Sequence, residues 1–171
     1  RGILHHHYSS RAPAFKIIKS YFENISSSHG TIIRWISTQR GHFLYSEDNL
    51  FAKIKCSGNG GLVYAQYQPK DSSKVSPTPF HVFSRNDTVV SISGTQNGGV
   101  IYAEGATELF NITFSKMTLS DIQCFGDGGV AYLLSPKSHR STEAYSLASS
   151  RLLATPEKTP KGIISILHSN F

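Results

Sequence analysis

The chain has 171 residues, which suits one domain with a substantial core. The 17 Lys and Arg exceed the 11 Asp and Glu by six, but charged residues make up only 16%, well below the ~25% of an average soluble domain. The 25 Ser, 11 Thr and 14 Gly disfavour a long helical bundle, while 10 Phe and 8 Tyr exclude wholesale disorder.

The N-terminal residues say little about function. His5, His6 and His7 are adjacent, and because neighbouring side chains diverge on a strand, a flexible terminus or tag remnant explains them better than a metal site. Arg1 indicates a processed product, its signal peptide already removed, or a fragment of a longer chain. We expect no membrane span, because the apolar runs are too short, and no nucleic-acid patch, because the basic residues are scattered.

Apolar strand patterns begin at Ile17–Ile25 and Ile32–Ile36, and Phe43–Tyr45 opens the next group of strands. Residues 66–79 are polar and hold three prolines, which predicts a loop excursion.

An internal repeat carries the main signal. Its three copies are Lys53–Ala65, Ser91–Ala103 and Asp121–Leu133. Each copy contains an isoleucine, then Asn or Asp before Gly-Gly, and then two apolar residues followed by a tyrosine. The second glycines are Gly61, Gly99 and Gly129, and Thr31 holds this place in a weaker fourth copy, so the spacings are 30, 38 and 30 residues.

Each copy reads as a strand, a tight turn and another strand. Asn or Asp followed by glycine tolerates the positive φ that such a turn needs. Alternation with period two places the isoleucines inward, and after the turn it places the tyrosines outward. Between copies there is room for further strands, so about 30 residues correspond to three strands.

Three strands per repeat predict a parallel β-helix of about five coils, forming a single module over residues 1–171. An antiparallel sandwich or meander stays open as the alternative, because Asn-Gly between strands also favours hairpins. In a β-helix, equivalent residues stack ~4.8 Å apart. The predicted columns are a turn ladder of Asn59, Asn97 and Asp127 with Gly61, Gly99 and Gly129, and an outward aromatic row of Tyr64, Tyr102 and Tyr132.

The two cysteines occupy equivalent positions in the repeat. Cys56 and Cys124 lie two copies apart, which predicts a separation of ~9.6 Å, beyond the ~7 Å between Cα atoms that a disulfide spans. We therefore expect two free, buried thiols with Gly94 between them.

The C-terminal part departs from the repeat. Residues 135–161 read as a second loop excursion, within which Thr142–Ala154 has the spacing of one short peripheral amphipathic helix. Gly162–Phe171 resumes as a strand. Neither terminal strand pattern offers a cap, so we expect self-association end to end, or continuation into a longer chain.

Three glycosylation sequons begin at Asn24, Asn86 and Asn111. Asn111 is the best acceptor, because the alternation of Phe110–Phe114 turns it outward. The sequons are mild evidence for an extracellular or cell-surface glycoprotein.

The segments Gly-Gly-Leu-Val-Tyr at 60–64, Gly-Gly-Val-Ile-Tyr at 98–102 and Gly-Gly-Val-Ala-Tyr at 128–132 resemble the Gly-Gly-Ala-Ile-Tyr element of polymorphic outer membrane protein repeats. That family also carries Phe-x-x-Asn, which Phe83-Ser84-Arg85-Asn86 matches by type and Tyr21-Phe22-Glu23-Asn24 matches loosely. The resemblance covers about residues 20–135. It implies a right-handed parallel β-helix of large secreted or surface proteins, often adhesins, and brings no catalytic residue.

The sparse acids form no catalytic pair, and we expect no enzyme activity, no cofactor and no metal. The sequence thus favours a scaffold or adhesin module, with a glycan or a host surface as a possible ligand. The alternative is a carbohydrate-binding or polysaccharide-processing β-helix, in which the tyrosine row would stack on sugar rings.

Overall fold

The computed structural model describes residues 3–7, 14–37, 43–67, 80–105, 110–136, 142–148, 151–153 and 163–167. These residues form β-strands and no helix, so the all-β prediction is confirmed. In chain order the strands are β1 (Leu4–His7), β2 (Ala14–Ile18), β3 (Tyr21–Glu23), β4 (Ser26–Ser27), β5 (Ile33–Ser37), β6 (Phe43–Glu47), β7 (Leu50–Cys56), β8 (Val63–Tyr67), β9 (Phe80–Arg85), β10 (Thr88–Thr95), β11 (Ile101–Glu104), β12 (Phe110–Ser115), β13 (Thr118–Cys124), β14 (Ala131–Pro136), β15 (Thr142–Ala148), β16 (Arg151–Leu153) and β17 (Ile163–Leu167).

The strands form three sheets that the chain visits in a fixed order. Sheet 1 is β2-β6-β9-β12-β17, sheet 2 is β3-β7-β10-β13 with β4 also on β7, and sheet 3 is β1-β5-β8-β11-β14-β15-β16. From β2 to β14 the chain passes from sheet 1 to sheet 2 to sheet 3 and begins again, and every pairing between successive rounds is parallel. This arrangement is consistent with a parallel β-helix-like fold and not with an antiparallel meander.

The register of the pairs follows the sequence repeat. Tyr102 lies beside Tyr64 on one side and beside Tyr132 on the other. In sheet 2, Ile92 lies between Ile54 and Ile122. The spacing of 30, 38 and 30 residues is therefore the length of chain that each round uses before it returns to the same column.

A single apolar core lies between the three sheets. Trp35 stacks between Phe15 and Phe80, with ring centroids 6.0 Å away on each side, and Phe80 stacks on Phe110 at 5.4 Å. The isoleucine column of sheet 2 closes the core from another side, and Ile54 and Ile92 are fully buried. Large aromatic and β-branched side chains bury the most apolar surface per residue in a pleated strand, which explains their use here.

Each round bends at left-handed residues in two columns. Between sheets 1 and 2 these are Lys19, Asp48, Asn86 and Lys116, with φ of 48–56°. Within sheet 2 they are Asn24, Lys53, Ser91 and Asp121, with φ of 52–62°. Non-glycine residues adopt this conformation at a cost of about 1–2 kcal/mol each, which the pairing with the neighbouring rounds must offset.

The two glycines of each Gly-Gly pair serve different purposes. The first has a positive φ, 70° at Gly60 and 64° at Gly98. The second lies against the next round: a Cβ at Gly61 would overlap the carbonyl oxygen of Gly99, and one at Gly99 would overlap that of Gly129. The first glycine therefore permits the turn, and the second permits the turns to stack.

The predicted peripheral helix at Thr142–Ala154 is wrong. In its place β15 pairs antiparallel with β14, with Leu147 opposite Ala131 at one end and Thr142 opposite Pro136 at the other. β16 in turn pairs antiparallel with β15. The segment is too short to form a stable helix by itself, whereas the open edge of β14 offers backbone partners along six residues. The predicted excursion at 135–161 therefore contains strands. In the other predicted loop, 66–79, β8 reaches Tyr67, and residues 68–79 lie outside the described residues.

Both cysteines are free, but their surroundings differ from the prediction. Cys56 is buried and Cys124 is only half-buried. Gly94 lies against the backbone of Cys56, but a register shift after Ile92 pairs Thr95, not Gly94, with Cys124. Burial raises the pKa of the Cys56 thiol.

We predict that Gly99→Ala lowers the free energy of unfolding by about 1–3 kcal/mol, because the added methyl must push adjacent rounds apart. Chemical denaturation measures this. Gln96→Ala is the control, since that exposed side chain lies in the same turn. An unchanged unfolding midpoint for Gly99→Ala would contradict the close stacking of the glycine column.

Candidate functional site

The turn ladder is joined by hydrogen bonds that run from round to round. The backbone N–H of Asn97 donates to Oδ1 of Asn59 at 3.2 Å, and the N–H of Asp127 donates to Oδ1 of Asn97 at 2.9 Å. Below Asn59, the same role falls to His29, whose Nδ1 accepts from the N–H of Asn59 at 3.0 Å. Each side chain thus satisfies a backbone donor of its neighbour and holds the turns in register.

His29 also belongs to the turn ladder, although this role was not predicted from the sequence. Its imidazole lies 5.1 Å from the ring of Tyr64, and a Cβ on Gly58 would overlap it. Burial lowers the pKa of His29, and the positive charge of Arg34 lowers it further. The signal was its position two residues before Thr31, which matches Asn59 before Gly61.

The tyrosine row is stacked and largely hidden from solvent. The rings of Tyr64 and Tyr102 are 5.3 Å apart and nearly parallel, and those of Tyr102 and Tyr132 are 5.8 Å apart. Tyr64 is only 8% exposed and Tyr102 only 5% exposed. Burial raises the pKa of all three phenols, and Glu104, which accepts a hydrogen bond from Tyr102, raises that of Tyr102 further.

Both ring faces of Tyr64 and of Tyr102 are therefore occupied by other side chains. Each inner face contacts the next tyrosine, and the outer face of Tyr64 meets Arg34, whose guanidinium lies 5.6 Å from the ring centroid. Sugar rings stack on free aromatic faces. The outward row predicted from the sequence thus leaves little ring surface of Tyr64 and Tyr102 open to a sugar.

A second polar ladder lies inside the corner between sheets 1 and 2. The backbone N–H of Asn49 donates to Oδ1 of Asp87 at 2.8 Å, and its amide Nδ2 donates to the same oxygen at 3.0 Å. That amide also donates to the hydroxyl of Ser46, while the Asn49 Oδ1 accepts from the N–H of Ser20. Ser84 donates to the other carboxylate oxygen of Asp87. Asn49 and Asp87 are buried, so this network joins three rounds within the core.

The sequence reading missed this corner ladder. Its signal is Ser-x-x-Asn at 46–49 and Ser-x-x-Asp at 84–87, each bridging the end of a sheet 1 strand and the start of a sheet 2 strand. The equivalent position is Ser20 in the round before Asn49 and Met117 in the round after Asp87. The residues of this column are therefore equivalent in position but differ in type. A search for identical residues passes over such a column.

An exposed aromatic hollow lies on the outer face of sheet 1. We call it the sheet 1 hollow; it is lined by Phe43, Tyr45, His81, Val82, Phe83, Asn111 and Thr113. Tyr45 stacks on Phe83 at 5.3 Å, Lys16 lies over the other face of Tyr45, and Phe43 is 42% exposed. On this surface, aromatic side chains and polar groups lie together in the open.

The three sequons lie in different settings. Asn24 and Asn86 are exposed left-handed residues, and Asn86 donates from Nδ2 to Oδ1 of Asp48 at 2.6 Å. Asn111 is half-buried in β12 beside His81, within the sheet 1 hollow.

The acidic residues are dispersed in bonds between rounds. Glu23 pairs with Lys53 at 2.6 Å, and Glu47 pairs with Arg85 at 3.6 Å. Across the part of the chain that the structure describes, no three His, Cys, Asp or Glu side chains cluster as metal ligands would. No helix suited to crossing a membrane occurs in that part either.

Comparison of the chain with protein-family models, with curated proteins and with solved structures found no match.

We predict that Asn49→Ala lowers the free energy of unfolding by about 2–3 kcal/mol, because it removes the side-chain amide that donates to buried Asp87 and to Ser46 and leaves the Ser20 N–H unpaired. Gln123→Ala removes an exposed amide on β13 and should change stability by less than about 0.5 kcal/mol. Equal decreases in the free energy of unfolding for the two variants, measured by urea denaturation, would contradict a stabilising role of the corner ladder.

We predict that stability falls as the pH drops below about 6.5. The pKa of His29 is lowered in the folded chain, so the unfolded chain takes up the proton first and acid favours unfolding. Protonated Nδ1 also cannot accept from Asn59. His29→Asn, which places an amide oxygen in the ladder, should flatten this dependence in thermal melts between pH 5 and 7.

His81→Gln is the matched control, because His81 lies on the outer face of sheet 1 and outside the turn ladder. The prediction fails if His29→Asn keeps the pH dependence of the parent chain.

Proposed function

We propose that the chain is a non-enzymatic scaffold or adhesion module of an extracellular or cell-surface protein, wound as a right-handed parallel β-helix of about five coils. One observation carries the proposal: polar and aromatic side chains bond mainly to their equivalents in the next round. The turn ladder, the tyrosine row and the corner ladder all follow this rule. Side chains committed to each other along the axis stiffen the structure and are not free to act on a substrate.

The resemblance of the Gly-Gly-Val-Ile-Tyr segments to surface-protein repeats and the exposed sequon residues Asn24 and Asn86 support the extracellular setting.

The three sheets end at different rounds. This favours association of the chain with a partner through the edge of one sheet over end-to-end stacking of whole copies. Among the described residues, sheet 3 continues beyond the last round with β15 and β16 and sheet 1 with β17, whereas sheet 2 ends at β13. At the other end, β1 is the one described strand that extends a sheet, and it extends sheet 3. A stack that continued all three sheets would need equal extents, so we propose that partners or further chain pair with a single open edge.

Carbohydrate binding is the second candidate, and the sheet 1 hollow is the observation that favours it. Phe43 is exposed there, and His81, Asn111 and Thr113 add hydrogen-bonding groups beside the aromatic rings. This surface replaces the tyrosine row as the place where we expect a sugar to bind.

A glycan array combined with a reducing-sugar assay on mixed polysaccharides separates these functions. A scaffold gives neither binding nor sugar release. Binding that Phe43→Ala weakens at least tenfold, while Phe125→Ala does not, would favour the carbohydrate-binding function. Phe125 is the matched control because it is an exposed phenylalanine that does not line the sheet 1 hollow. Release of reducing sugars would overturn the scaffold proposal.

A further inference from the structure

The outer face of sheet 2 carries a polar crease that the proposed function does not use. It encloses about 450 Å³, and we call it the sheet 2 crease. Its lining comes from Lys53 and Lys55 of β7, from Asn24, Ile25 and Ser26 in the round before, and from Ser91 and Ser93 in the round after. The crease therefore crosses three rounds and extends about 10 Å along the axis.

The alternation of β7 turns both lysines of the crease outward, because Ile54 between them is fully buried. In the sheet, Lys55 lies beside Ser26 of one neighbouring strand and beside Ser93 of the other. One ammonium group is thus flanked by a hydroxyl group on each side, at one strand spacing of about 4.8 Å.

The charges of the crease are not balanced. Nζ of Lys53 pairs with Oε1 of Glu23 at 2.6 Å, which neutralises one of the two positive charges. Lys55 is exposed and forms no ion pair within the described residues. One positive charge is therefore left for an anionic partner, in a setting of serine hydroxyls.

The lining groups match an anionic saccharide. A lysine ammonium attracts sulfate or carboxylate, and a serine hydroxyl both donates and accepts hydrogen bonds, as sugar hydroxyls do. The described lining holds no aromatic ring on which a nucleobase would stack. It also holds no arginine, the side chain that binds phosphate through two parallel hydrogen bonds. An acidic sugar therefore fits the crease better than a nucleic acid does.

We propose that the sheet 2 crease binds an acidic saccharide, with Lys55 at its sulfate or carboxylate group and Ser26 and Ser93 at the neighbouring sugar hydroxyls. This inference goes beyond the proposed function. Neither the scaffold role nor sugar binding at the sheet 1 hollow requires the crease, so failure of this inference would leave both of them standing.

Calorimetric titration with three hexasaccharides tests the inference. The probes are a sulfated, heparin-derived hexasaccharide, a galacturonic acid hexamer that carries carboxylates alone, and neutral maltohexaose. The protein carries no glycan on Asn24, because this sequon residue also lines the crease. We expect at least one acidic probe to bind and maltohexaose not to bind. Binding of the galacturonic acid hexamer would identify carboxylate as sufficient, and binding of the sulfated probe alone would identify sulfate as the group required.

Variants locate the binding. Lys55→Gln should weaken binding of the acidic probe at least about fivefold, because it removes the unmatched charge. Lys116→Gln is the matched control: it removes the same charge from an exposed lysine outside the crease, and screening by salt should keep its effect below about twofold. Ser93→Asp, which places a carboxylate beside Lys55, should abolish binding. Phe43→Ala should leave it unchanged, which separates the crease from the sheet 1 hollow.

The inference fails if neither acidic probe binds, or if maltohexaose binds as tightly as they do. Equal weakening by Lys55→Gln and Lys116→Gln would also contradict it, because the attraction would then come from the overall charge of the chain. Displacement of the acidic probe by an equal concentration of inorganic sulfate would assign the crease to a free anion and not to a saccharide.

Discussion

The structure depends on one constraint: equivalent residues of successive rounds lie one strand spacing apart, about 4.8 Å. At that distance, backbone groups pair, flat side chains stack, and amides bond to the backbone of the next round. The glycine column shows how narrow the limit is, because a methyl on Gly61 or Gly99 would overlap a carbonyl oxygen. Every other ladder requires the turns to come this close.

The same constraint explains where the rounds differ. The 38-residue interval inserts chain between β8 and β9, yet the columns on either side keep their register. At β10 the shift after Ile92 brings Thr95 beside Cys124, and the Thr95 hydroxyl donates to the carbonyl of Gln123 at 3.0 Å. Local irregularity is tolerated where a side chain can replace the pairing that it disturbs.

Repetition of residue type decided what could be predicted from sequence. The parallel all-β architecture and the columns at Gly61, Asn59 and Tyr64 follow from residues that recur in step. The corner ladder was not predicted because Asn49 and Asp87 occupy equivalent positions but are different residue types. The left-handed conformation of Lys53 and Lys116 was not predicted because lysine is a poor marker of positive φ. The predicted helix at Thr142–Ala154 failed because pairing with an open strand edge outweighs a weak helical period.

The direction of the side-chain bonds also limits where recognition can occur. Side chains that bond along the axis have their donors, acceptors and ring faces occupied, as the burial of Tyr102 and the sharing of Asn97 between two neighbours illustrate. The surfaces left for a partner are those where this bonding stops. Two such surfaces among the described residues are the sheet 1 hollow, where Phe43 is exposed, and the edge of β13 near Phe125. A ligand at the hollow would meet side chains, whereas a partner at the edge would meet backbone, so the two surfaces favour different kinds of molecule.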